Sequence, residues 1–199
     1  MKLTPRRVAA ALAAPLVVLA LTLSATPAQA ATTPLPPVPS VDLQRYAGQW
    51  NELASIPQIY TAQCRKDTTA QYTVLDASTV GVKNTCTSFF GIRSTVDGTA
   101  KALDPTNASL RVTFQGIPSF GSSSTPNYVV TALAPDYSWA IVGDPDRRSG
   151  FVLSRSTSFT DAQWKQVRAI VEARGYDSCR FVTTKTTGGR SDRTPLCRL

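Results

Sequence analysis

Catalysis near neutral pH draws mostly on histidine, an activated thiol or paired carboxylates, and this sequence is poor in all three. No histidine occurs among the 199 residues. That removes Ser–His–Asp and Cys–His nucleophilic arrangements, His-ligated zinc and His-ligated haem. The four cysteines, Cys64, Cys86, Cys179 and Cys197, match no zinc-ligand spacing. Most acidic side chains (Asp42, Asp67, Asp76, Asp97, Asp104, Asp144, Asp146) fall at element ends or turns, where Asp suits the backbone. Glu52 is the exception. It shares strand parity with Trp50 and is expected to point the same way. It reads either as a buried carboxylate matched by a cation or water, or as a polar contact for a ligand head group. The chain is therefore expected to bind rather than to catalyse, with no cofactor and no metal.

The cysteines also indicate a compartment. Lys2, Arg6 and Arg7 precede an apolar run interrupted by Pro15, and "AQA" ends at Ala30. This reads as a cleavable signal peptide over residues 1–30, with cleavage after Ala30 and export to the medium or the outer cell envelope, and with a retained membrane helix as the alternative. No cysteine lies near that site to accept an N-terminal lipid. In an exported chain four cysteines favour two disulfides. Cys64–Cys86 with Cys179–Cys197 closes the shorter loops, and Cys64–Cys197 with Cys86–Cys179 stays open. Residues 31–40, "ATTPLPPVPS", read as a Pro-rich tether ahead of a single domain over 41–199. The net charge of +8 falls when the three leader cations are removed, and no run of like charge remains. A nucleic-acid partner is not expected; a weak contact with a membrane surface or the cell envelope is the most this charge supports.

Eight short alternating runs occupy the domain: residues 48–54, 69–75, 80–86, 94–103, 110–115, 127–133, 139–143 and 150–155. Period-2 alternation gives each run one apolar face. "LRVTFQ" is the clearest, with Leu110, Val112 and Phe114 on one side. Short connections between successive runs predict an all-β fold, an eight-stranded up-and-down antiparallel barrel, with a two-sheet sandwich as the rival packing. A helix follows. Thr160 and Gln163 form a capping box, Trp164, Val167, Ile170, Val171 and Arg174 fall on or near one face, and Gly175 ends it. The helix is expected on the outside of the sheet, and 180–184 offers a ninth strand.

Three stretches, "YAGQWNELASIP", "APDYSWAIVGDP" and "GFVLSRS", stand in order along this domain. With a single helix after them, the chain resembles the lipocalins, most of all the bacterial Blc-type proteins and apolipoprotein D. The resemblance implies that Trp50 plugs the closed end of the barrel, that Arg155 lies across its ring, and that Gly48, Asp136 and Tyr137 shape that end. It also gives Tyr72, Asn84, Val129 and Phe151 positions that face the ligand, two of which (Val129 and Phe151) are Trp in relatives. Asn51 departs from the family, which often has Tyr there, and is expected to face outward.

Parity extends the inward set to Tyr72, Val74, Val82, Asn84, Ala100, Ala102, Val112, Phe114, Val129, Thr131, Leu133, Phe151 and Leu153. Ile56, Ile59, Tyr60, Ile117 and Phe120 are expected in loops at the open end. The implied function is that of a secreted, monomeric binding protein for a small hydrophobic ligand, with a fatty acid or lysophospholipid as the expectation. The alternatives are a surface or inhibitory protein acting through its loops, and an isomerase or de-epoxidase on the same fold.

Overall fold

The computed structural model describes residues 33–118 and 121–199; the leader read over residues 1–30 and the loop residue Phe120 lie outside them. Eight antiparallel strands follow one another: β1 Gly48–Ser55, β2 Cys64–Val74, β3 Thr79–Ser88, β4 Arg93–Ala102, β5 Ser109–Phe114, β6 Tyr128–Leu133, β7 Trp139–Gly143 and β8 Gly150–Ser154. Each pairs with the next, and β1 pairs with both β2 and β8, so the sheet closes into a barrel. Closure leaves no long unpaired edge. A two-residue strand β9, Val182–Thr183, adds to β1 at Ala54 and Ser55. The weakest seam is β5–β6, with Cα partners only at Ser109 and Leu110. There the Asn127 side chain substitutes for backbone, accepting the Val112 N–H at 2.7 Å and donating to the Val112 carbonyl at 2.9 Å.

Among the described residues two α-helices complete the fold, the short α1 Leu43–Tyr46 and the longer α2 Asp161–Ala173. α2 starts at the expected capping box: Gln163 Oε1 accepts the Thr160 N–H at 2.9 Å, and Thr160 Oγ1 accepts the Gln163 N–H. Trp164, Val167 and Val171 pack on the outer sheet face with Leu53, Val129, Trp139, Ile141 and Val152. Burial of each of those two α2 valines contributes about 1.5–3 kcal/mol. Tyr176, Phe181 and Leu196, from the segment that follows, join the same outer cluster, and Cys179–Cys197 staples that segment. The other bridge is Cys64–Cys86. A second cluster, built around Trp50, Tyr72, Val82, Leu110 and Val142, fills the inside of the barrel.

Two corrections concern backbone. Residues 33–40 are not a free tether. Leu35 is buried in the outer cluster and Val38 packs against the inner one. The Leu35 N–H donates to Pro145 O, and the Val38 N–H donates to Val130 O. Prolines remove donors but leave carbonyls, and Pro36 O accepts Thr131 Oγ1–H at 2.6 Å. The second correction lies in β6. Its register against β7 shifts between Val130 and Ala132, so Thr131 is the extra residue of a bulge. Val130 therefore joins the inner cluster, while Val129 and Ala132 belong to the outer one.

Candidate ligand-binding site

The chain enters β1 through Gly48, whose φ of +94° suits glycine; a Cβ there would also lie 3.2 Å from Arg155 Nη1. Two residues on, Trp50 is fully buried. Its Nε1–H donates to Tyr46 O at 2.8 Å, and the Arg155 guanidinium sits 3.8 Å from the ring centroid. Arg155 also donates to the carbonyls of Gln49, Arg45, Tyr46 and Ala47. One guanidinium thus binds the β1 entry and α1 together over the indole. The 134–138 turn completes this end. Asp136 Oδ1 accepts from the Ser138 N–H and hydroxyl, Tyr137 adopts φ +61°, and the Tyr137 hydroxyl accepts the Asp42 N–H at 3.0 Å. Asn51 is buried rather than turned to solvent, and its Nδ2 donates to the carbonyls of Ser154 and Arg155.

Above Trp50 the barrel floor is occupied by three phenols. Tyr46 and Tyr72 hydroxyls lie 2.8 and 3.0 Å from the Tyr128 hydroxyl. Burial pushes Tyr72 up to about 12, and also raises Tyr46 and Tyr128, so all three stay neutral at physiological pH. The void left among them, Val41, Leu43, Leu110 and Val130 is about 20 Å³, on the order of room for one water.

The wall rises from this floor to a mouth ringed by the 56–63, 89–92, 115–127 and 144–149 loops. Val82 and Leu153 are buried in the inner cluster, while Val112, Phe114 and Phe151 pack against it and remain half-buried; Val74 and Leu133, also half-buried on the inward face, are the closed-end termini of β2 and β6. The Phe114 ring packs close against Gly98 of the neighbouring strand, where a Cβ would come within 2.7 Å of it. Asn84 shares the inward parity of Val82, and its Oδ1 is buried without a hydrogen-bond partner.

β1 bulges between Glu52 and Ala54, and Glu52 and Ser55 stand opposite Leu153 and Phe151. The inward parity read for Glu52 agrees with this register. Glu52 Oε1 accepts hydrogen bonds from Ser55 Oγ at 2.8 Å and Thr184 Oγ1 at 2.7 Å. Burial raises its pKa above the ordinary carboxylate value, although those hydroxyls and the charge of Arg193 pull the other way.

With this geometry in place, the matches to known proteins are informative. A lipocalin-like domain model matches residues 41–186. The chain is a lipocalin. Temperature-induced lipocalin-1 of Arabidopsis thaliana is 33% identical over 151 residues, covering 74% of this chain and 80% of that protein. The outer membrane lipoprotein Blc of Escherichia coli K12 is 33% identical over 166 residues, covering 80% of this chain and 90% of that one. Among solved structures, apocrustacyanin C2 superposes with a TM-score of 0.55 at 24% identity, covering 72% of this chain and 78% of that chain; this likeness concerns the fold alone.

Within this lipocalin barrel, two of the residues read as facing the ligand do not. Val129 is under α2, and Thr131 bonds to the N-terminal segment, because the β6 bulge reverses parity between them and Leu133. Ile56, expected at the mouth, is buried in the outer cluster. Tyr46, Tyr128 and Val130 were not in the expected inward set. Tyr128 carried a usable signal, an amphipathic phenol at the start of an apolar run, but its face depends on the same bulge.

Proposed function

We propose that this lipocalin is exported and carries one single-chain amphiphile, a fatty acid or lysophospholipid, in the mouth half of its barrel. The observation that carries the reading is the pair of half-buried apolar side chains on the inward face at the mouthward ends of β5 and β8, Phe114 and Phe151. Inward-facing apolar surface that protein does not cover is available to a flexible hydrocarbon chain. Asn84 Oδ1 offers an unmatched acceptor beside them. An unpaired buried amide oxygen costs about 1–3 kcal/mol, which a ligand hydroxyl offsets by donating to it. The closed floor limits depth, so Tyr72 and Leu153 would bound the ligand from below. The two disulfides suit a protein working outside the cytoplasm. The absence of histidine and of free thiols favours binding over turnover. An envelope location is what the name of the Escherichia coli relative describes, and the proposed export would put this chain in a comparable setting.

The test has two arms. Mass spectrometry of a solvent extract of the exported protein is expected to find a bound lipid, and fatty acids are expected to bind more tightly with chain length until the mouth half is full, since affinity follows buried apolar area. Phe151→Asp places an unpaired charge in that wall. In a variant whose circular dichroism is native, affinity for a fluorescent fatty acid is expected to fall at least about tenfold. An unchanged affinity would mean that the ligand does not use this interior.

A further inference from the structure

We infer that the open end of the barrel is a docking surface for an anionic lipid bilayer, with the loops at residues 56–63 and 89–92 entering the headgroup region. Among the described residues seven large apolar side chains are exposed, and six of them (Ile59, Tyr60, Phe89, Phe90, Ile92 and Ile117) belong to loops or strand ends at the mouth; only Leu75 lies at the other end. Ile59 is 95% exposed and Phe90 89%. A soluble surface seldom concentrates such side chains in one place without a use for them.

The two main loops are built for this task. Ile59–Thr61 is a single 3₁₀ turn in which the Thr61 N–H donates to Gln58 O and the Ala62 N–H to Ile59 O. In the hairpin carrying Phe89 and Phe90, the Gly91 N–H donates to Ser88 O and the Ser88 N–H to Ile92 O. Each tip thus satisfies part of its own backbone, which lowers the cost of leaving water for a lipid interface. Cys64 and Cys86 join the base of one loop to the base of the other, with Cα atoms 5.5 Å apart. Ile59–Tyr60 and Phe89–Phe90 are therefore carried on two loops whose bases are joined. Gln58 Nε2 further ties the first loop to Arg148 O, and Gln63 Nε2 ties it to Ser94.

The charges around the tips select the partner. Arg65, Arg93 and Arg148 are exposed at this end. Of the acidic groups nearby, Asp144 is turned into its own hairpin, accepting from Ser149 and Arg148, and Asp67 is held by Thr187 and Lys66. Asp146 pairs with Arg148, but that ion pair is solvent-exposed and weakly held. Protruding apolar tips with a tyrosine among them and arginines behind match a bilayer surface, where aromatic and aliphatic side chains reach the acyl boundary and cations meet lipid phosphates. The mouth would then open onto the leaflet. This goes beyond ligand carriage and stands whether or not a lipid is held inside.

The test is sedimentation with phosphatidylcholine vesicles, with and without about one-third phosphatidylglycerol, using the protein as its host exports it. Binding is expected to the anionic vesicles and to weaken with salt. Because Ile59 and Phe90 touch little else, the Ile59→Ser/Phe90→Ser double variant keeps the fold. It is expected to bind vesicles at least about tenfold more weakly, with affinity for a fluorescent fatty acid in solution unchanged. Failure of the native protein to bind, or vesicle binding unaltered in the double variant, overturns the docking surface. Self-association of the native protein that disappears in the variant would assign the tips to a second copy instead, and also overturns it. Loss of fatty-acid binding on its own bears only on the interior.

Discussion

Removing Trp50 and Arg155 singly and together tests how the closed end is held. The indole is fully buried, stacks at 4.9 Å on Tyr46 and donates one hydrogen bond. Trp50→Ala is therefore expected to cost about 3–5 kcal/mol, the range for losing a large core aromatic. Arg155→Ala removes a guanidinium that donates to four carbonyls. Water can replace part of that bonding because the group is not fully enclosed, so a loss of about 2–3 kcal/mol is expected. With the guanidinium carbon 3.8 Å from the ring centroid, a cation–π contact contributes about 0.5–2 kcal/mol of coupling. The double variant should therefore lose less than the sum of the single losses by about 1 kcal/mol. Equilibrium urea unfolding read by circular dichroism measures this, with fluorescence of Trp139 and Trp164, present in all variants, as a second probe. Arg155→Met keeps much of the stem packing while removing the bonds, and should fall between the native protein and Arg155→Ala. A coupling below about 0.5 kcal/mol, with both single variants destabilised as expected, would show that the two side chains do not stabilise each other.

Glu52 gives a pH signature. Its folded-state pKa is raised, so its contribution to stability is fully present below its ordinary value of 4.5 and is lost as pH rises through the folded value. Glu52→Gln can retain the Ser55 and Thr184 hydrogen bonds, so urea midpoints should match the native protein near pH 4 and exceed it near pH 8; a larger gap at acid pH would reverse the argument. Cys64→Ser/Cys86→Ser opens a bridge across a separation of 22 residues and is expected to lose about 3 kcal/mol by chain entropy. Non-reducing peptide maps of the native protein should contain the Cys64–Cys86 and Cys179–Cys197 peptides, and a Cys64–Cys197 peptide would contradict the pairing.

Features that depend only on near neighbours in the chain are legible in the sequence itself. Alternation in "LRVTFQ" and "GFVLSR" marks strand faces because successive side chains on a strand must point to opposite sides, and Val112, Phe114, Phe151 and Leu153 lie on the inward face. The capping box at Thr160 and the stop at Gly175, with φ +80°, are likewise local. Even the Trp50–Arg155 stack could be anticipated, because its motif residues resemble those of a known family. Tertiary structure decided what depends on distant partners. The β6 bulge exists because β6 must pair with β7 while Val130 bonds to Ala108 and Val38, and one inserted residue moves Val129 and Thr131 off the inner face. Residues 33–40 look unstructured by composition, yet the barrel gives Leu35 an apolar site and Pro36 a donor. The phenol floor joins Tyr46, Tyr72 and Tyr128 from α1, β2 and β6, positions as far as 82 residues apart. No periodicity encodes that meeting, because it is set by barrel closure, which brings separate strands to one axis.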